Sequence, residues 1–518
     1  MSNPIRDLPT KEGEWFVVLI ETVKNRVADG GSFPSVTEIL ADMAGRWGVS
    51  EEVMGAWRLG VGRLSDYALS PTDVGVDSLD EEEEALRASR SALLPVFQAR
   101  LQARIDEVDR ATAGQSRCPT SGETGESRGR LPRRLASVFG EVHLRRRWSR
   151  CKGHKKGWSE AERQLQIPEG SFTARLGESM SLLSTVTTHG TAQKLCEVLL
   201  GVSVSSHALQ DVVETRAQAV IQLQDKEAQM RRPVEKDGTV RPVSRPADAV
   251  PKPPSVAYVE VDGVFPMTRE LDPQRSVPAP GHRGGKGRRY VMEGKEVKNA
   301  VLYQGDDCCT EGDQRGIVLE KNYVSHLGHW RHFAALLWTE MLRQRFDQAD
   351  TLILLSDGAH WIRELAEYFP REVRPILDLF HAKHRVWEVA NALYGERTPK
   401  ARKWAHTQCA LLENGKVRTV IASLKRLRPS RINAREKVDQ LVTYFTNNTD
   451  RMDYPTYRTN GWRISSGGVE SANYHVTGAR LKMQGMRWSP NGAAEMTRLR
   501  ADLANDLWRQ RTREVLAM

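Results

Sequence analysis

The chain has 518 residues, of which 39% are hydrophobic and 27% charged, with a formal net charge of +10. That length exceeds one typical domain, so two to four are expected. The absence of any run of about eighteen apolar residues excludes a helical membrane span, and six cysteines in a chain this long, two of them adjacent at Cys308 and Cys309, exclude a disulfide framework. The basic balance favours an anionic partner, nucleic acid first. The N-terminal "MSNPIRDLPTKEGEW" lacks the apolar core of a signal peptide, so a reducing cytosol is the expected setting.

Residues 1–112 read as a helical region, because "EGEWFVVLIETVKNRV" and "ALLPVFQARLQARIDEVDRA" place apolar residues three and four apart. The acidic run Asp80 to Glu84 marks a solvated helix start. Residues 113–165 differ in character. Between Arg128 and Lys156 stand eleven Lys or Arg and one acidic residue, Glu141. In "FGEVHLRRRWSRCKGHKK" β-type residues alternate with arginine, which predicts a basic hairpin that offers Arg145, Arg146, Arg147, Lys155 and Lys156 to phosphates. The bland alternative is a merely soluble charged surface.

Two short motifs flank this hairpin, "CPTSG" with Cys118 and "CKGH" with Cys151 and His154. Zinc ribbons grip tetrahedral zinc with two such pairs. Here Ser121 stands where a second cysteine of the first pair is needed, leaving three good ligands. A ribbon that has lost its metal is the favoured reading, with bound zinc the alternative. Residues 166–230 are helical. The run ending at Gly201, followed by Ser203 and Ser205-Ser206 as caps for a second helix, gives a helix-turn-helix pattern that ordinary helical hairpins share. Residues 231–254 hold six prolines and no apolar periodicity, as a linker does.

Strands begin at "SVAYVEVDGVFP", which ends in Asp262-Gly263. A second is expected near Val297 to Tyr303, then a helix over "YVSHLGHWRHFAALLWTEMLRQRF". "LILLSDG" predicts a strand buried on both faces, a helix follows it, and a last strand and helix lie within "VRPILDLFHAKHRVWEVANALYG". This order is that of an α/β sheet, whose strand ends are where ligands sit. Asp357, between a buried strand and a helix, reads either as a cap or as a metal ligand. Glu260, two before Asp262, shares its side of the strand and is a rival ligand or a loop-facing group. Glu470 follows Gly467-Gly468 in the first turn of a helix, where it would place Asn473, Thr477 and Arg480 on its own face or merely favour the helix dipole.

These motifs, taken in order, resemble those of the DDE transposases of bacterial insertion sequences, specifically the Kra-four family. The resemblance runs from about Cys118 to the C-terminus and rests on "YVEVDG", "KEVKNAVLY", "SDGAHWIRELAEYF" with "ILDLFHAKHRVWEVANALYG", and "GGVESANYHVTGARLKMQGMRW". It implies an α/β RNase H-like catalytic core, a mixed sheet flanked by helices, over residues 255–394, and a core C-terminal region over residues 460–518. It implies Asp262, Asp357 and Glu470 as catalytic ligands of two Mg²⁺ or Mn²⁺ ions. The 113 residues separating Asp357 from Glu470 predict a helical, basic insertion over residues 395–459. Asp378 and His381 resemble an Asp-x-x-His accessory element, with a satisfied core histidine as the alternative. Arg480, Lys482 and Arg487 would contact phosphates, and Trp488 would either stack on a base or lie in the core.

The implied function is metal-dependent cleavage at element ends and strand transfer into target DNA, by a homo-oligomer on double-stranded DNA. The alternatives are a nuclease of the same fold that never joins strands, and a transposase-derived DNA-binding protein without catalysis.

Overall fold

The computed structural model describes residues 55, 94–232, 244–247, 252–272, 290–309 and 317–517. Asp80 to Glu84, the helix expected over "EGEWFVVLIETVKNRV", most of the proline-rich linker and most of the loop "GHRGGKGRRY" lie outside them. The chain divides into two compact units. One comprises residues 1–183 and 189–209, the other residues 184–188 and 210–518. No helix among the described residues is long and apolar enough to cross a membrane.

In the first unit, helix α1 (Leu94–Ala111) precedes a hairpin of β1 (Glu126–Ser137) and β2 (Gly140–Arg150). A short β3 (Gly157–Trp158) pairs with the end of β2. Then come α2 (Glu160–Gln164), α3 (Ala174–Val186) and α4 (His189–Leu200). The hairpin alternates as a half-buried ribbon should. Leu135 pairs with Val142, and these residues with Leu144 pack on Ile105 of α1 and Ala161 of α2. Helix α1 also seals the free edge of β2. Gln98 accepts from the His143 N–H at 3.0 Å, Gln102 from the Arg145 N–H at 2.8 Å, and Asp109 from the Arg147 N–H at 2.8 Å. Four helical residues rise about 6 Å and two strand residues about 6.8 Å, so Gln98 and Gln102, one helical turn apart, meet alternate edge amides, and Asp109, seven residues further along, reaches the next.

The same alternation corrects the reading of Arg146 as a phosphate contact. It follows Val142 and Leu144 on the inward face and is buried. Its Nε donates to Glu162 at 3.0 Å, its Nη1 donates to the carbonyls of Leu131 and Pro132, and its guanidinium lies 4.7 Å from the Trp148 ring. Arg145, Lys155 and Lys156 are exposed and Arg147 is half-buried. Helix α4 ends at Gly201, which has φ +65°. The Ser205 hydroxyl then accepts from the Ala208 N–H at 3.1 Å and caps α5 (Ser206–Met230), the turn and cap that the sequence predicts.

The second unit is mixed α/β. Strand β4 (Val256–Val264) leads through a hairpin, β5 (Met267–Leu271) with β6 (Tyr290–Gly294), to β7 (Val297–Gln304). A two-residue pair, β8 (Cys308–Cys309) and β9 (Ile317–Val318), precedes β10 (Asn322–Leu327) and α6 (Trp330–Arg343). Then follow β11 (Thr351–Ser356), α7 (His360–Tyr368), β12 (Arg374–Leu377) and α8 (Leu379–Tyr394). The five-stranded sheet has the order β10-β7-β4-β11-β12. β4, β11 and β12 run parallel, while β7 and β10 are antiparallel to their neighbours. One face packs on Phe333, Leu337 and Met341 of α6, the other on Ala382, Val386 and Ala390 of α8. Where a single helix was expected over "YVSHLGHWRHF", the chain forms β10 first. Tyr323 and Val324 favour a strand, and Gly328, at φ +148°, turns the chain so that His329 can cap α6.

Residues 395–459 form α9 (Pro399–Glu413), α10 (Val417–Arg426), α11 (Ile432–Asn448) and α12 (Tyr454–Thr459). Ala401, Ala405, Val438, Leu441 and Phe445 join the core on the α8 side of the sheet. The chain closes with α13 (Gly467–Ala472), a π-helical segment Asn473–Gly478, α14 (Ala479–Leu481), α15 (Pro490–Ala504) and α16 (Trp508–Leu516).

Replacing Arg146 by alanine would remove a buried guanidinium, leave Glu162 with Arg133 as its remaining cation and take the side-chain donor from two carbonyls. Arg146→Ala is expected to cost about 2–3 kcal/mol, whereas exposed Arg145→Ala should stay within about 0.5 kcal/mol. Urea unfolding midpoints of the two variants measure the difference.

Candidate functional site

The parallel register of β4 and β11 pairs Leu355 with Glu260 and Ser356 with Val261. Asp262 and Asp357 therefore stand level on adjacent strands, the first within β4 and the second one residue beyond β11. Asp357 is not the helix cap. The N-cap of α7 is Ala359, without a side-chain bond. Asp357 Oδ1 instead accepts from the Ala359 N–H at 3.0 Å, an Asx turn. Gly358 makes this turn at φ +84°, where a Cβ would lie 2.7 Å from Leu377. Helix α11 braces the turn, since the Tyr444 hydroxyl donates to the Asp357 carbonyl at 2.6 Å.

Asp262 is held from two sides. Its own neighbour, the Gly263 N–H, donates to Oδ1 at 2.7 Å, and the Asn473 amide donates to Oδ2 at 2.6 Å. Asn299, its partner across β7, fixes that amide by donating to Asn473 Oδ1 at 2.6 Å, and Ser325 and Thr477 donate to Asn299 in turn. Burial, with the nearby charge of Asp357, still pushes the Asp262 carboxyl up to about 6, and its hydrogen bonds and His381 offset this only in part. Two facing carboxylates with too little positive charge between them make a place that favours a cation.

Glu470 comes to this edge on α13. Its position is set by Glu260, which is neither a ligand nor loop-facing. Fully buried, it accepts from the Val469 N–H at 2.8 Å and from the Tyr303 hydroxyl at 2.5 Å. Burial holds the Glu260 carboxyl above its usual range. A Cβ on Gly468 would lie 2.7 Å from Glu260 Oε2, so glycine lets α13 approach β4. Glu470 itself is exposed and, with Asp378, Arg463, Ser465, Gly467 and Gly468, lines a cleft of about 450 Å³. The oxygens of Asp262, Asp357 and Glu470 do not all lie within 4.8 Å of one another. Among the described residues only Cys118, Cys151 and His154 form a metal-ligating group that tight. A two-ion site spreads its ligands over centres about 4 Å apart, so a third carboxylate need not reach the first ion.

Asp378 is buried and caps α8 by accepting from the His381 N–H at 2.7 Å, while its other oxygen accepts from the Ser466 hydroxyl at 2.6 Å and the Ser466 N–H. Burial acts to raise its carboxyl, but the bonds from His381 and Ser466 outweigh it and hold the group below the usual range. His381 Nδ1 stands 3.4 Å from Asp378. That contact, with the charges of Asp262 and Asp357, holds the imidazole above its ordinary value despite burial. His381 is thus tied electrostatically to both site aspartates.

Arg480 is corrected from phosphate contact to core residue. It is fully buried, its Nε donates to the Ser184 carbonyl at 3.1 Å, and it stacks 4.7 Å from Trp488. Burial, with repulsion from Arg500, lowers its guanidinium to about 10. The reason for the misplacement is the π turn over Asn473–Gly478, which inserts one extra residue per turn and shifts the face by about 100°. Gly478 permits it, since a Cβ there would lie 2.8 Å from the Asn473 carbonyl. Lys482 and Arg487 remain exposed, and Trp488 donates to the Leu481 carbonyl at 3.1 Å, as a packed residue does.

The model of the Uncharacterised protein family (UPF0236) matches residues 292–515. The matched stretch holds Asp357, Asp378, His381 and Glu470 and starts beyond Asp262. No curated protein matches the chain.

A carboxyl raised to about 6 in the folded chain keeps a proton that the unfolded chain loses near 3.8. Its contribution therefore favours folding at low pH and is lost as pH rises from about 4 through 6, by at most roughly 3 kcal/mol. Asp262→Asn should remove this fall, so that the variant gains stability over wild type between pH 4 and pH 7. Calorimetry across that range measures it, and Mg²⁺ added at pH 8 should stabilise wild type more than the variant.

Proposed function

We propose that this chain is a DNA transposase with an RNase H-like core, cleaving phosphodiester bonds at the ends of a mobile element and joining them to target DNA. The observation that carries the reading is the level pairing of Asp262 and Asp357 on adjacent parallel strands, with Glu470 pinned to the same central strand through Glu260. The mixed sheet, the helical insertion and the basic balance of the chain support it.

The donor set is all carboxylate, which suits hard cations such as Mg²⁺ or Mn²⁺. The under-compensated charge at Asp262 fits their binding. Asp262, Asp357 and Glu470 would hold two ions, which when bound activate water or a DNA 3′ hydroxyl and stabilise the leaving oxygen. The chain's own groups supply the positioning. Asn473 and the Gly263 N–H fix the Asp262 carboxylate, and the Asx turn and Tyr444 fix Asp357. Asp378 joins the start of α8 to Ser466, just before α13. No side-chain nucleophile is needed, because water or a DNA hydroxyl attacks phosphorus. Double-stranded DNA would be gripped by exposed Arg145, Lys155, Lys156, Lys482 and Arg487, and by the insertion, where Lys425, Arg428 and Arg435 line a cleft of about 590 Å³. Two ends must be held at once, which favours a homo-oligomer on DNA.

The test is Mg²⁺-dependent cleavage of a plasmid that carries the element's own ends. Wild type should cut at the ends, and Asp357→Ala should bind those ends with unchanged affinity yet cut at least about a thousandfold more slowly. Equal cutting by the variant would remove Asp357 from the site and the reading with it. A strand-transfer assay with precleaved ends separates a transposase from a nuclease of the same fold.

A further inference from the structure

The loops at Cys118 and Cys151 are the same turn made twice. In each, the cysteine N–H donates to the carbonyl five residues on, Glu123 at 2.7 Å and Lys156 at 2.8 Å. In each, the N–H four residues on returns to the cysteine carbonyl, from Gly122 at 2.9 Å and from Lys155 at 3.1 Å. Both of those residues have positive φ, +73° and +58°. A non-glycine residue at positive φ is uncommon, so its appearance at Lys155 shows that the second loop is held to a specific shape. Two such knuckles face each other, and they bring Cys118 Sγ to 3.1 Å from His154 Nε2. Cys118, Cys151 and His154 offer ligand atoms all within 4.8 Å of one another.

Three ligands leave a tetrahedral ion one short. By position in the turn, Ser121 corresponds to His154, and its hydroxyl reaches 3.6 Å from Cys151 Sγ. A neutral hydroxyl is a poor ligand beside thiolates. Glu123 offers a better one, two residues further along the same knuckle. Its Oε2 lies 3.5 Å from Cys151 Sγ and 3.5 Å from Ser121 Oγ. With zinc–sulfur near 2.3 Å and zinc–oxygen near 2.1 Å, the sulfur-to-oxygen edge of a tetrahedron is about 3.6 Å. The observed spacing on the Cys151 side already fits. Glu123 is exposed, so its side chain is free to turn toward the other two ligands, and Gly153 keeps the space beside it open, a Cβ there meeting Glu123 Oε2 at 3.4 Å.

We infer that the two knuckles bind one Zn²⁺ through Cys118, Cys151, His154 and the Glu123 carboxylate, the missing cysteine being replaced by a ligand two residues further along the turn. The ribbon has changed its fourth ligand, and the metal is structural, because all four positions are filled from the chain. The inference does not depend on the catalytic reading of the other unit.

The experiment is zinc binding by the full chain, with stoichiometry from metal analysis after dialysis and affinity from competition against a chromogenic chelator. Co²⁺ substitution reports tetrahedral thiolate coordination. Wild type should hold one zinc per chain. Glu123→Gln, an exposed isosteric change, should weaken binding tenfold or more, about what loss of a ligand or its support costs. Ser121→Ala should leave affinity unchanged within about twofold, and Ser121→Cys should restore tight binding in the Glu123→Gln background. Wild type without zinc, alongside a Ser121→Cys variant that binds it, would overturn the inference. So would Glu123→Gln binding as tightly as wild type.

Discussion

A single buried carboxylate decides where the C-terminal helices meet the sheet of the second unit. Glu260 lies in the central strand, away from water, and satisfies its oxygens with the Tyr303 hydroxyl and the Val469 N–H. An ionisable group costs several kcal/mol to bury unless it is bonded this well. The cost is offset only when α13 is docked against β4, so the helix start, and Glu470 one residue later, are fixed to the strand that also carries Asp262. Tyr258 reinforces the joint from the same strand. Its ring stacks on Tyr303 with centroids 5.0 Å apart, and its hydroxyl accepts from the Arg463 N–H at 3.2 Å. Four residues of β4, Tyr258 to Val261, thus alternate between anchoring the C-terminal region and filling the opposite core.

The sequence revealed what depends on local pattern and obscured what depends on partners. Strands at Asp262 and Asp357 and the capped turn after Gly201 were legible from apolar runs, glycine and serine. Strand β10 was missed because its six residues run directly into a strongly periodic helix, and only Gly328 marks the border. Glu260 was ambiguous for a physical reason. On a strand, the residue two before Asp262 points the same way, but the groups that meet it come from another strand and from chain more than two hundred residues distant. Arg146 carried a visible signal, its phase with Val142 and Leu144, which the density of positive charge around it hid. Asn473 was legible only as a residue on the face of Glu470. Its part in fixing Asp262 depends on Asn299, a residue of another strand.

The two units solve the problem of negative charge in opposite ways. Around Asp262 the carboxylate is crowded by another and only partly compensated, which keeps the place open to a cation. Around Glu162 the carboxylate is taken up by the guanidinium groups of Arg133 and Arg146, and one oxygen of Asp109 accepts the Arg147 N–H. Part of the positive charge of the hairpin, at Arg133 and Arg146, therefore serves the fold, and the arginines left facing water are fewer than the sequence count implies.

The π turn between Glu470 and Arg480 acts as a phase changer in one continuous run of helix. Upstream of it the exposed carboxylate faces the cleft, while within it Asn473 and Thr477 lock onto Asn299. Downstream the same rod presents a cation inward, sandwiched between Trp488 and a main-chain carbonyl. One surplus residue thereby lets neighbouring turns serve two different neighbours, an open cleft on one side and anchorage on the other. A strictly regular helix, with a single stripe, would have to choose between them.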